Sequence, residues 1–99
     1  MTAMLDVAPA HQALLLDLLQ RHLPGVPTWA FGSRVTGKAR ATSDLDLVVF
    51  APPERKAQVF ELREALEESA LPFEVDLLVW DDIPTNFRHN IQRAYIELI

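Results

Sequence analysis

Two short runs of alternating apolar residues, held apart by one helix-length of chain, limit the folds open to this sequence. In the first, residues 44–50, Leu45, Leu47 and Val49 fall on one side of an extended chain, and Asp44, Asp46, Val48 and Phe50 on the other. In the second, residues 73–80, Val75, Leu77 and Val79 share a face, and Asp76 lies opposite with Leu78 and Trp80. Between them the period changes to that of a helix. Pro52 and Pro53 stop the first strand, and Pro53 suits the first turn of a helix running to about Ala70. Val59, Leu62, Leu66 and Ala70 face inward there, and Glu54, Arg55, Glu61, Glu64, Glu67 and Glu68 face water. Strand, helix and strand in that order predict an α/β sheet with helices packed against it.

The flanking segments extend the pattern. Pro9 opens a helix whose stripe is His11, Leu15, Leu18 and His22, widened by Leu14 and Leu19 and ended by Pro24, Gly25 and Pro27. Val26–Phe31 reads as a short buried strand, apart from Pro27 at its start. After Asp81, Asp82 and Pro84, a last helix is predicted with Phe87, Ile91, Ala94 or Tyr95, and Leu98 as its stripe. The predicted order is α-β-turn-β-α-β-α, in one domain spanning residues 1–99.

Composition narrows the function. Nine basic against fourteen acidic residues give a net charge of −5, which argues against gripping nucleic acid by general electrostatics. No cysteine is present, so disulfides, thiolate catalysis and cysteine-ligated zinc are excluded. The first ten residues carry Asp6 and no basic cluster, unlike a secretory signal, and the apolar runs are far too short to span a membrane. A cytoplasmic protein is expected.

Against that acidic background, residues 32–42 stand apart. They hold two of the three glycines, Gly32 and Gly37, and the bases Arg34, Lys38 and Arg40, with no acid. A loop with a short helical turn is expected. Gly32-Ser33 follows a strand and opens this turn, where free N–H groups and a hydroxyl can hold phosphate oxygens. Arg34, Lys38 and Arg40 are candidates to neutralise phosphate charge. Immediately beyond lie Asp44 and Asp46, whose side chains leave one face of a strand with Cα atoms about 6.6 Å apart. At an effective dielectric of 20 two such anions repel by roughly 2–3 kcal/mol, which calls for a compensating cation. Asp76 joins them if the two strands are neighbours. Oxygen ligands without histidine or cysteine suit magnesium or manganese, and two such ions form a clamp for in-line displacement at phosphorus.

Gly32-Ser33, ten residues, then Asp44-Leu45-Asp46 resembles the G-S-x10-D-x-D signature of the polymerase-β-type nucleotidyltransferase superfamily. The longer string from Phe31 to Leu47, FGSRVTGKARATSDLDL, resembles its minimal nucleotidyltransferase branch, the MntA-type antitoxins encoded beside HEPN-domain toxins. Asp76, in Glu-Val-Asp-Leu-Leu, matches the third carboxylate, and the Ile-Pro-x-x-Phe stretch is also family-like. The resemblance implies a small mixed sheet with helices against it. It implies that Gly32 and Ser33 bind the triphosphate of ATP; Arg34 and Lys38 are added as nucleotide-binding candidates on their charge and place alone. It further implies that Asp44, Asp46 and Asp76 ligate two magnesium ions (manganese being possible) and that Asp76 helps deprotonate the attacking hydroxyl. By the same resemblance the acceptor is a tyrosine on a cognate HEPN toxin, held in a hetero-oligomer. With 23 residues after Asp76, a second macromolecule is expected to supply that acceptor.

Other residues have plainer readings. His11 and His22 are expected to pack or to be exposed, and His89 to sit on a helix surface. Trp29 and Trp80 are expected in the core or at a partner contact, and Asp81-Asp82 near a helix N-terminus. Two alternative functions stand beside the enzyme: an idle-site antitoxin acting by direct binding, and transfer to a small acceptor such as an aminoglycoside.

Overall fold

The structure, a computed structural model, describes residues 5–99; the expectation about a leader at the N-terminus falls partly outside them. Along the chain, helix α1 (Pro9–His22) is followed by strand β1 (Thr28–Phe31), the single-turn helix α2 (Ser33–Thr36) and strand β2 (Leu45–Val49). A 3-10 turn at Pro53–Arg55 leads into α3 (Lys56–Glu68), and then come β3 (Val75–Val79), α4 (Thr85–Arg93) and β4 (Tyr95–Glu97). The four strands form one sheet in the order β3-β2-β1-β4. β2 and β3 are parallel, with Leu45 opposite Val75 and Val49 opposite Val79. Parallel neighbours need a crossover, and α3 supplies it. β1 runs antiparallel to both β2 and β4, so the sheet is mixed, as expected.

Each strand's alternation divides the molecule into two apolar clusters. On one face, Ala30, Leu45, Leu47, Val49 and Leu77 meet Leu15, Leu19 and Leu23 from the first helix and its end, and Val59, Leu62 and Leu66 from α3. Leu19, Leu23, Leu45, Leu47 and Leu62 are fully enclosed. Each such side chain contributes about 1.5–3 kcal/mol by leaving water, so this face holds the sheet in register. On the opposite face, Phe31 and Val48 pack with Ile83 and Ile91, bordered by Trp29, Phe50, Leu78, Trp80 and Tyr95. Trp29 stacks on Tyr95 with ring centres 3.9 Å apart and also meets Phe50 and Trp80 edge-on. The two tryptophans are thus half-buried members of an aromatic border.

Three expectations are corrected. The last helix does not reach Leu98: it ends at Arg93, Ala94 is extended, and Tyr95–Glu97 join the sheet beside β1. The unpaired edge of β1 offers backbone hydrogen bonds that a further helical turn could not match, and Tyr95 gains its stack on Trp29. The stripe of α1 is rotated: Leu15, Leu19 and Leu23 are buried, whereas His11, Leu18 and His22 are only half-buried. Ala70 lies beyond α3 and is exposed rather than inward, because the helix stops at Glu68.

Candidate active site

The parallel register of β2 and β3 sets Asp46 directly opposite Asp76. Neighbouring strands lie about 4.8 Å apart, so the two carboxylates project side by side from the sheet face opposite α1 and α3. Phe31, opposite Asp46 on β1, shares that face. β1 ends there, and the next residue is Gly32. Gly32 has φ +81° and ψ −156°, a conformation essentially confined to glycine. A Cβ on Gly32 would overlap Oδ2 of Asp46 and lie 3.2 Å from its Cγ. Only a bare Cα lets the turn and the carboxylate approach so closely. The glycine that opens the turn and the second aspartate of the motif are therefore in contact, across the β1–β2 pair.

Electrostatics tie the three acids together. Burial holds the Asp46 carboxyl above its ordinary value, and the charges of Asp76 and Asp44 push it further the same way. Asp46 is half-buried, while Asp44 and Asp76 are exposed at the rim. Asp44 precedes β2, and the Leu45 N–H donates to the Glu74 carbonyl (2.9 Å), continuing the parallel pairing to this end of the strands. Among the described residues, no Lys, Arg or His comes within ion-pair distance of the three. Nor do three acidic or histidine side chains among them already close into a cage. The arrangement is a pair, Asp46 and Asp76, with Asp44 near enough to add to the upward push on the Asp46 carboxyl. Hard oxygen donors carrying excess negative charge fit a divalent cation that takes its remaining ligands from a phosphate or water.

The turn itself is α2. The Gly32 carbonyl accepts from the N–H groups of Val35 and Thr36 (3.0 and 3.2 Å), which closes the helical turn. Ser33 and Arg34 open it, and their N–H groups have no partner within the helix. Gly37, at φ +78°, ends it, and the Lys38 N–H donates back to the Ser33 carbonyl at 3.1 Å. The Lys38 side chain is exposed.

Arg34 is placed differently from the expectation that it meets the triphosphate. It is 6% exposed, and its guanidinium is bonded to backbone carbonyls of Asp6, Ala41 and Ser43. Sequence reasoning saw a positive charge beside a phosphate-binding turn; the long side chain instead folds back to satisfy its own loop. Phe87 also differs from expectation. Expected in a buried stripe, it is 39% exposed and meets Phe31 edge-on, with ring centres 6.0 Å apart. Phe31, which Phe87 meets, is the residue opposite Asp46 in the β1–β2 register. A helical stripe places Phe87 on the inner side of α4 but does not show that its ring stays partly exposed. A cleft of about 520 Å³ lined by Leu66, Glu67, Leu71, Pro72, Phe73, Glu74 and Val75 contains neither the turn nor any of the three aspartates. Asp44 and Asp76 are exposed, and Asp46 is half-buried.

A family model described as polymerase beta nucleotidyltransferase matches residues 16–99. A Haemophilus influenzae protein named "probable protein adenylyltransferase MntA" is 42% identical over 96 residues, which cover 95% of this chain and 83% of that protein. A solved structure assigned as a minimal nucleotidyltransferase superimposes with TM-score 0.69 at 32% identity, covering 88% of each chain. A crystal structure of a toxin–antitoxin with AMP-PNP shares the fold at the same TM-score and 23% identity, covering 93% of this chain and 73% of that one. With the model matched from the first helix to the last strand, and a relative of this identity over nearly its whole length, this chain belongs to the polymerase-β nucleotidyltransferase family.

Proposed function

We propose that this chain transfers AMP from ATP to a tyrosine hydroxyl of a cognate HEPN-domain toxin, and that this modification is how it acts as an antitoxin. The observation that carries the reading is the placement of Asp46 side by side with Asp76 and in contact with Gly32. The MntA relative, named as a protein adenylyltransferase, supports the reaction class. The shared fold of a toxin–antitoxin complex holding an ATP analogue supports the donor and the kind of partner.

In this reading the N–H groups of the Gly32–Ser33 turn and the Ser33 hydroxyl hold the triphosphate oxygens. Lys38, exposed just past the turn, neutralises part of the phosphate charge. Asp44, Asp46 and Asp76 hold the magnesium ions, two by analogy with the clamp of related sites, with manganese as a substitute. When bound, these ions neutralise charge on the α-phosphoryl group and favour ionisation of the attacking hydroxyl. Asp76, the exposed member of the pair, takes up the hydroxyl proton. A bond forms between the tyrosine oxygen and the α-phosphorus as the bond from that phosphorus to the bridging oxygen breaks, and pyrophosphate leaves. The acceptor belongs to a second chain, so the reaction takes place within a hetero-oligomer. No helix among the described residues is long and apolar enough to cross a membrane, and the reading places both partners in the cytoplasm, with no nucleic acid bound directly.

The test is label transfer to the purified partner. Label should move from α-labelled ATP and not from γ-labelled ATP, and the Asp44→Asn, Asp46→Asn variant should lose about a hundredfold or more in rate. Undiminished transfer by that variant would refute the site. Neutralisation of the toxin in cells by the same variant would instead favour an antitoxin that acts by binding alone.

A further inference from the structure

The Arg34 guanidinium reaches three separate stretches of chain. Its Nη1–H donates to the Asp6 carbonyl at 2.8 Å. Nη2–H donates to Ser43 at 2.7 Å, Ala41 at 3.1 Å and Arg40 at 3.4 Å, and Nε–H donates to Ser43 at 3.0 Å. Its plane lies over the Phe73 ring, 4.2 Å from the centre. The main chain adds a reciprocal bond, the Asp6 N–H donating to the Arg34 carbonyl at 2.8 Å. Every polar partner of the guanidinium is a backbone oxygen. Among the described residues no carboxylate pairs with this buried cation.

We propose that Arg34 is a positioning residue that fixes where Asp44 stands relative to Asp46 and Asp76. The inference deepens the reading above and rests on it for what the aspartates do. The loop at residues 40–43 hands the chain to Asp44. Arg40, Ala41 and Thr42 are exposed, so the loop has little apolar surface to hold it. Its own bonds, from the Arg40 N–H to Ser43 Oγ (2.8 Å) and from the Ser43 N–H to the Arg40 carbonyl (3.0 Å), close a small turn but do not attach that turn to the protein. Arg34 makes the attachment. The two-pronged bond to the Ser43 carbonyl grips the residue immediately before Asp44. On the other side, Phe73 lies beneath the guanidinium and precedes Glu74, whose carbonyl receives the Leu45 N–H. One side chain thus links the approach to β2 with the approach to β3, and ties both to the turn that begins at Gly32. Lysine cannot replace it: an ammonium is a point charge and lacks the planar fork that reaches several carbonyls at once.

The test compares the wild-type chain with Arg34→Lys, Arg34→Gln and Asp6→Ala. Only the main chain of Asp6 takes part, so Asp6→Ala serves as the control. Hydrogen exchange reads the loop without reference to activity. Electron paramagnetic resonance reads how much Mn2+ half-saturates the protein with a non-hydrolysable ATP analogue present. Bonds to a charged group are worth about tenfold to a hundredfold in an opening equilibrium. Both Arg34 variants should therefore exchange the Ser43 and Leu45 amides about tenfold faster or more, and should need about tenfold more Mn2+. Asp6→Ala should match wild type in both. If Arg34→Lys does not fold, Phe73→Leu, which removes the ring beneath the guanidinium, should shift both readings the same way by a smaller factor. Unchanged exchange, or faster exchange with an unmoved Mn2+ midpoint, would overturn the inference. Failure of the wild-type chain to transfer AMP would count against the proposed reaction alone, because neither readout here uses transfer.

Discussion

Replacing Gly32 by alanine tests the contact that joins the turn to the acid pair. The cost has two parts. The first is conformational: at φ +81° and ψ −156° an L-residue is strained by about 1–3 kcal/mol. The second is the overlap of the new Cβ with Asp46 Oδ2, with Cγ only 3.2 Å away. The carboxylate must rotate off its preferred angle, at about 0.5–1.5 kcal/mol, or the turn must shift. Together these predict a loss of about 3 kcal/mol, which lowers the melting temperature of a domain this size by roughly 12–24 °C. Gly37→Ala is the matched control. Its φ of +78° is comparable, and nothing lies within 4 Å of the added Cβ, so about 1–2 kcal/mol is expected. The overlap is isolated by repeating Gly32→Ala in an Asp46→Ala background, where the penalty should shrink by about 1 kcal/mol. Urea unfolding with an unchanged dependence on denaturant gives each value. If Gly32→Ala costs no more than Gly37→Ala, or if removing the Asp46 carboxylate brings no relief, the close approach is not what the structure says it is.

Two more predictions concern stability. Asp46→Asn should stabilise the metal-free protein while abolishing transfer. The folded-state value of Asp46 is raised, so keeping it ionised at neutral pH costs folding free energy. That cost is absent below the ordinary carboxylate range, grows as pH rises through the range, and stays constant above it. Neighbouring carboxylates about 5 Å apart repel by roughly 1–3 kcal/mol, and solvent screening of a half-exposed group favours the low end, about 1 kcal/mol. Thermal melts should show the gain at pH 7 and its loss in acid; a variant less stable than wild type at pH 7 would contradict the account. Separately, deleting residues 95–99 should cost about 3 kcal/mol or more, read as the same melt. The deletion removes the β1–β4 pairing, the Tyr95–Trp29 stack and the packing of Leu98 and Ile99 on the core. An unchanged melting temperature would mean that this segment does not complete the sheet.

What the sequence disclosed follows from which signals are local. Alternation placed Asp46 and Asp76 on one side of their strands because side-chain direction has a period of two, and the intervening helix made the strands parallel neighbours. The positions of Leu45, Leu47, Val49, Leu77, Val59, Leu62 and Leu66 follow from the same periods. The end of the chain was misread because Phe87, Ile91, Tyr95 and Leu98 fit a helical stripe as well as Tyr95 and Glu97 fit a strand; the choice was made by an open edge on β1, distant in sequence. Arg34 was misread for a related reason. Its charge and its place after Gly32-Ser33 are local facts, whereas the carbonyls that occupy it lie at Asp6 and Ser43. The contact between Gly32 and Asp46 needed the register of two strands and could not be read from either segment alone.

The central claim is that Asp46 and Asp76, side by side next to the Gly32–Ser33 turn, receive a metal-bound nucleoside triphosphate. The most direct measurement is a crystal structure with Mn2+ and a non-hydrolysable ATP analogue, with manganese located by its anomalous scattering. Manganese should lie in contact with both Asp46 and Asp76, and triphosphate oxygens on the backbone N–H groups of the turn. Manganese touching neither aspartate, or a triphosphate seated away from Gly32 and Ser33, would contradict it.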